Sequence, residues 1–188
     1  MTVLVLVGGR GSRLGGPKHS APLCGKPLLR WVLDTMPSDL GEVIVVSPVR
    51  PGGLDDADWI WDPGKGPAVA LRTAAEHLDG RALLVGGDMP LLEPDALRLV
   101  YKIPSEATVP LWSNGFMEPL HAAYDMGAVL RTTSNSLHGL VWELNPALVS
   151  AEYMVWRFGS HIFFNVNTEE DLARATRILR SLRSRECS

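Results

Sequence analysis

An apolar run from Val3 to Val7 opens directly into Gly8-Gly9-Arg10-Gly11-Ser12-Arg13-Leu14-Gly15-Gly16-Pro17-Lys18, and this junction restricts the fold more than any other stretch. The run is short, aliphatic and uncharged, the pattern of a strand buried on both faces of a sheet. Leu6 and Val7 lead the chain out of that strand. Gly8, Gly9 and Gly11 lack a Cβ, so the backbone can turn sharply and bring its N–H groups close to a ligand. Arg10, Arg13 and Lys18 surround the same loop with positive charge. Bare amides and cations together suit a polyphosphate. The competing reading is a turn with solvated arginines, but the end of a first buried strand is where α/β folds place nucleotides.

Two common phosphate loops are excluded. Gly11 and Gly16 have the separation of a Walker A loop, but Pro17-Lys18 follows where Lys-Ser/Thr is required. The dinucleotide fingerprint fails because Leu14 stands at its third glycine.

A second block is Arg81-Ala82-Leu83-Leu84-Val85-Gly86-Gly87-Asp88-Met89-Pro90. An apolar strand ends in two glycines, an aspartate and a proline, which puts the Asp88 carboxylate at the sheet edge that carries the glycine loop. A hard divalent ion such as Mg²⁺ takes carboxylate oxygens and shares phosphate oxygens with its substrate. The alternative is an aspartate capping the helix predicted from Pro94 to Lys102, but Asp88 falls well before that helix.

The remaining pattern alternates strands and helices. Helices are predicted over 27–35, 67–78, 94–102 and from Thr168 to about Leu182, and strands over 42–47, 59–61 and 107–112. Tyr153 to Phe158 reads as an edge strand and Ile162 to Phe164 as an apolar strand before Asn165-Val166-Asn167. Residues 125–150 mix signals. Ser47 and Asp62 both follow strands, and Gly66-Pro67 opens a helix, so they belong to the same rim as Asp88. Asp62 reads either as a turn cap or as a base contact. Lys26 is a phosphate contact or a solvated lysine, and His121, alone in an apolar strand, is a structural residue or an acceptor contact. The fold class expected is α/β: one domain over residues 1–188, frayed from about 180, with a mostly parallel Rossmann-like sheet and helices on both faces.

The segment Val7-Gly8-Gly9-Arg10-Gly11-Ser12-Arg13-Leu14-Gly15 with Pro17-Lys18 resembles the signature loop of nucleotidyltransferases that activate sugars and cofactors with a nucleoside triphosphate. Gly66-Pro67, Asp88-Met89-Pro90 and Asn165-Val166-Asn167-Thr168-Glu169-Glu170-Asp171-Leu172 narrow the resemblance to the molybdenum cofactor guanylyltransferase (MobA-like) family. Ala68, Ala70 and Glu169 depart from its usual Leu, Gly and Pro, and Ser47 stands where many relatives carry Asn. The resemblance implies transfer of GMP from GTP to a molybdopterin-type phosphorylated acceptor, with release of pyrophosphate. It implies that Arg13 and the loop amides hold the outer phosphates, Lys18 stabilises charge at the α-phosphate, and Asp88 and Asn165 place Mg²⁺. It also implies that the Asp62–Gly66 region helps hold the guanine. Other acceptors are cobinamide phosphate, a sugar phosphate or the substrate of a cytidylyl variant. A non-catalytic nucleotide-binding protein on the same scaffold is the reading from a different class.

A net charge of −3 argues against a dedicated nucleic-acid binder. No apolar run approaches the roughly 20 residues of a membrane span, and no secretory signal is visible. Cys24 and Cys187 form no Cys-x-x-Cys pair, so a reduced, cytoplasmic protein, monomeric or weakly self-associating, is expected.

Overall fold

The computed structural model describes residues 2–8, 16–36, 39, 41–52, 57–183 and 187. From the N-terminus, β1 (Thr2–Leu6) is followed by a 3-10 turn at Lys18–Ser20, a small hairpin of β2 (Pro22–Leu23) and β3 (Lys26–Pro27), and α1 (Leu28–Thr35). Next come β4 (Glu42–Ser47), β5 (Asp58–Trp61), α2 (Pro67–Ala75), β6 (Arg81–Gly86), α3 (Pro94–Lys102), β7 (Ala107–Leu111) and β8 (His121–Asp125). The remainder is α4 (Met126–Val129), α5 (Leu137–Glu143), β9 (Ala147–Ser150), α6 (Ala151–Phe158), a 3-10 turn at Ser160–Phe163 and α7 (Glu169–Leu182).

The described residues form a seven-stranded sheet in the order β5-β4-β1-β6-β8-β7-β9. β5, β4, β1 and β6 run parallel, β8 is antiparallel to both β6 and β7, and β9 is parallel to β7. Alternation along β1 separates the two cores. Leu4 faces a layer with α2, α4 and α5, through Leu71, Ala74, Ala128 and Leu140. Val3 and Val5 face the other layer, with Leu29 and Val32 of α1, Leu97 and Val100 of α3, and Met154 of α6. The sheet is thus mostly parallel and covered on both faces, as the alternating elements require.

A third cluster lies off the sheet. Leu23, Leu28 and Trp31 pack with Leu91, Val166, Ala175, Leu179 and Cys187, which docks α7 onto the β2–β3 hairpin. The Trp31 indole N–H donates to the Leu23 carbonyl at 2.6 Å and ties α1 to the same hairpin.

Three expectations are corrected. Residues 153–158 are helical, not an edge strand. Ser150 Oγ accepts from the Tyr153 N–H at 3.1 Å as the N-cap, and Gly159, at φ 94°, ends the helix. Buried Ala151 and Met154 stand at helical spacing, while exposed Tyr153 and Trp156 are aromatic residues of the kind that favour strands. The sheet edge is instead β9. The apolar run Ile162-Phe163-Phe164 spans a 3-10 turn and its exit, because Ile162 and Phe163 bury themselves against the sheet without a strand to pair with. Finally, Cys24 and Cys187 are joined by a disulfide, across a sequence separation of 163. Cys187, in the segment expected to fray, is buried.

Candidate active site

The site is assembled by the register of the central strands. Leu6 of β1 pairs with Gly86 of β6 and Val46 of β4, so all three strands end level. Two hydrogen bonds continue that register: Val7 N–H donates to the Val46 carbonyl at 2.9 Å, and Gly87 N–H to the Leu6 carbonyl at 2.8 Å. Gly87 must be glycine for this. A Cβ there would come within 2.7 Å of Val7 Cγ2 and 3.0 Å of the Leu6 carbonyl oxygen. Gly8, Ser47 and Asp88 consequently leave the sheet on one rim.

A cavity of about 630 Å³ opens along that rim. Leu6, Val7, Gly8, Lys18, Ser47, Asp62, Gly66 and Asp88 all line it, as do Pro17, His19 and Leu120. The structure therefore brings together every described residue proposed for nucleotide binding. Gly9, Gly11 and Arg13, which carry the strongest sequence signal, lie outside the described residues.

At one end, Lys18 Nζ donates to the Asp88 carboxylate and, at 2.6 Å, to Asn167 Oδ1. The ion pair joins residues 70 positions apart, the amide contact residues 149 apart. Asp88 is further held by its own backbone, whose carbonyl accepts the Val166 N–H at 2.9 Å. The Lys18 and Asp88 side chains are only partly exposed, so the pair is less screened than a surface salt bridge. His19 stands beside them, and burial lowers its imidazole pKa, favouring the neutral ring.

At the other end, Asp62 is buried and lines the cavity. Its Oδ1 accepts the Gly64 N–H at 2.7 Å, and its backbone N–H donates to the Ser47 carbonyl at 3.2 Å. Asp62 is thus both the turn residue and a cavity carboxylate. Ser47 Oγ donates to the Val49 carbonyl at 2.8 Å and accepts the Trp59 indole N–H at 3.0 Å. Gly66 precedes α2 with φ 101°, a conformation that favours glycine, and Pro67 takes the first helical position, where no N–H is needed.

Asn165 and Asn167 divide differently from expectation. Asn165 Nδ2 donates to the Phe163 carbonyl at 3.1 Å. Asn167 uses its backbone N–H on the Asp171 carboxylate at 2.9 Å, which leaves its side chain for Lys18. The sequence carries no sign of the Asn167 contact with Lys18, because no local pattern reveals a pairing across 149 positions. Lys26 is engaged elsewhere, with Asp34 at 2.9 Å and over the Trp31 ring. His121 is completely buried, packed edge-on to Phe163 at 5.0 Å between ring centroids, and offers no atom to an acceptor.

Among the described residues, no group of three or more His, Cys, Asp or Glu could cage a metal ion. The Asp88 carboxylate at one end of a cavity of this size fits Mg²⁺, which takes one or two carboxylates and fills its shell with phosphate oxygens and water. It does not fit zinc, which wants three or four protein ligands. Among the described residues, no helix is long and apolar enough to cross a membrane.

Comparison with known proteins identifies the family and agrees with the fold. The profile of the MobA-like NTP transferase domain matches residues 3–144. A Thermococcus gammatolerans protein described as "Probable molybdenum cofactor guanylyltransferase" is 33% identical, covering 90% of this chain and 96% of its own. The crystal structure of molybdopterin-guanine dinucleotide biosynthesis protein A from Archaeoglobus fulgidus superposes with a TM-score of 0.80 at 29% identity, covering 96% of this chain and all of that one. The 2-C-methyl-D-erythritol 4-phosphate cytidylyltransferase of Thermus thermophilus shares the fold at a TM-score of 0.69 and 19% identity, over 95% of this chain and 98% of its own.

Proposed function

The chain belongs to the MobA-like NTP transferase family and is a nucleotidyltransferase, and we propose that it moves GMP from GTP onto a molybdopterin-type phosphorylated acceptor, with Mg²⁺ and release of pyrophosphate. The observation that carries this reading is the convergence of Lys18 and Asp88 at one end of a cavity whose other end holds the buried Asp62 carboxylate.

Asp62 supports guanine as the base. Its Oδ1 is taken by the Gly64 N–H, and a carboxylate accepts more than one further donor. Guanine offers adjacent N–H donors at N1 and N2, whereas adenine and cytosine place an acceptor beside their amino group. A buried carboxylate left without donors penalises the wrong base.

In the proposed reaction an oxygen of the acceptor phosphate attacks the α-phosphorus. A new P–O bond forms, the bond from the α-phosphorus to the bridging oxygen breaks, and pyrophosphate departs with the electrons. The chain's work is alignment and charge neutralisation. The loop amides and Arg13 bind the outer phosphates. Lys18 turns from Asp88 to the α-phosphate and meets the charge that grows there. Asp88, freed of its lysine, would hold Mg²⁺ at the triphosphate, with Asn165 Oδ1 as the second protein oxygen. Bound Mg²⁺ supplies Lewis-acid stabilisation of phosphate charge. Asn167 keeps the Lys18 ammonium near its working position in the absence of ligand.

The test is pyrophosphate release from GTP, ATP, CTP and UTP, with molybdopterin, adenosylcobinamide phosphate and sugar phosphates as acceptors. GTP with the molybdopterin acceptor should exceed every other pair. Release with no acceptor pair, despite tight GTP binding, would leave a nucleotide-binding protein.

A further inference from the structure

Helix α7 is fastened at both ends to the segment that carries Lys18. Before its first turn, Asn167 accepts from Lys18 Nζ at 2.6 Å, and a capping box of Thr168 and Asp171 fixes that turn. Beyond its last turn, Cys187 is bonded to Cys24, in the hairpin turn that follows Lys18. Between these ties, Ala175 and Leu179 pack against Leu23, Leu28 and Trp31. The two ties close a ring: Lys18, hairpin, disulfide, α7, Asn167 and back to Lys18. Nucleotide transfer uses neither sulfur.

We propose that Cys24–Cys187 is a thiol–disulfide exchange site, taking a dithiol or its disulfide as co-substrate, whose state sets how firmly Lys18 and Asn167 are held for phosphate binding. The proposal rests on the reading of Lys18 as a phosphate-binding group. Cys24 is half-buried and Cys187 almost wholly buried, so Cys24 is the sulfur open to attack. In the reducing direction a thiolate of the dithiol attacks Cys24 Sγ, and the S–S electron pair leaves on Cys187, which takes up a proton. The second thiolate of the dithiol then displaces Cys24, which is protonated in turn, and the dithiol departs as its disulfide. Two electrons pass to the two cysteines; the reverse exchange returns them to a disulfide. Reduction leaves the apolar contacts of Ala175 and Leu179 in place, so α7 loosens without leaving. Cys24 also holds φ 46°, uncommon for a residue with a side chain and sustained only where its surroundings fix it.

The experiment compares the full chain after glutathione disulfide and after dithiothreitol, with Cys24→Ser and Cys187→Ser as references. Thiol state is read by alkylation and mass spectrometry. Hydrogen exchange is read over 16–23 and 167–172, and the KM for GTP is measured in each state. Expected are a disulfide after glutathione disulfide, exchange at least about fivefold faster on reduction, a several-fold higher KM, and both variants matching the reduced chain whatever the treatment. Free thiols after oxidation, unchanged exchange, or transfer with the same KM in both states would overturn the proposal. Exchange that responds in a chain inactive with every triphosphate would uphold the clamp and defeat the transferase reading instead.

Discussion

At the residue scale, Lys18 and Asp88 neutralise each other, and under the proposed function a bound triphosphate and its cation replace that pairing. Lys18→Ala should lower kcat/KM by about 10²- to 10³-fold, the size of losing one charge-stabilising donor, with thermal unfolding little changed. Asp88→Ala should remove turnover and its response to Mg²⁺ while the fold persists. Gly86→Ala is a finer probe. A Cβ there would sit 2.5 Å from Asp88 Oδ1 and 3.3 Å from Met89 Sδ, so it must push the carboxylate aside. Activity should fall at least tenfold, with a smaller loss of stability; an unaltered rate would separate Asp88 from the reaction. His121 gives a prediction about pH. Burial pushes its pKa down to about 3, against a weaker upward pull from the Ile162 backbone, and neither ring nitrogen makes a hydrogen bond of good geometry. The folded state thus refuses a proton that the unfolded chain accepts near pH 6.5. Stability from this group is intact above that pH and falls by up to about 1.4 kcal/mol per unit as pH drops towards 3. Denaturant titrations of His121→Leu should lack this share of the acid slope.

At the element scale, the C-terminal helix is tied to the candidate site through Asn167 and Lys18. Thr168 Oγ1 accepts the Asp171 N–H at 3.1 Å, while Asp171 accepts the N–H groups of Asn167 and Thr168, each at 2.9 Å. Thr168→Ala should cost about 1 kcal/mol, a Tm drop of about 2–4 °C for a chain of this size. Because the same turn carries Asn167, the KM for GTP should rise as well; a Tm change with no KM change would confine Thr168 to capping. Elements were legible where one face or one junction dominated the pattern. The run 81–86 ending in Gly87-Asp88 and the helix Pro94–Lys102 read cleanly, since hydrophobicity and punctuation agreed. Helix α6 did not, because exposed Tyr153 and Trp156 blurred its period with aromatic residues that favour strands. Ile162 and Phe163 misled in the opposite sense: a buried apolar run reports burial, not hydrogen-bond pairing.

At the scale of the whole molecule, the parallel order β5-β4-β1-β6 and the level ends of its inner strands make one rim from sequence blocks far apart. That convergence was legible, since each block placed its polar residue just after an apolar strand. Contacts between non-neighbouring segments were not. Nothing local in Lys18 names Asn167 as its partner, and nothing local in Cys24 names Cys187. Such pairings are decided by the docking of α7 on the hairpin, through Leu23, Trp31 and Leu179, a tertiary event without a periodic signature. The departure at Ser47 also acquires meaning only in three dimensions. The Ser47 hydroxyl donates to Val49 and accepts from Trp59, bracing the cavity wall and leaving Asp62 as the buried carboxylate of the cavity, the group proposed to read the base.

The central claim is that Lys18 and Asp88 exchange each other for a bound triphosphate and its cation. A crystal structure of the full chain with Mg²⁺ and a non-hydrolysable GTP analogue tests this most directly. The account predicts Lys18 Nζ within hydrogen-bonding distance of an α-phosphate oxygen, Asp88 on the metal and the guanine amino edge on Asp62. A nucleotide bound elsewhere, with the Lys18–Asp88 pair still closed, would contradict it.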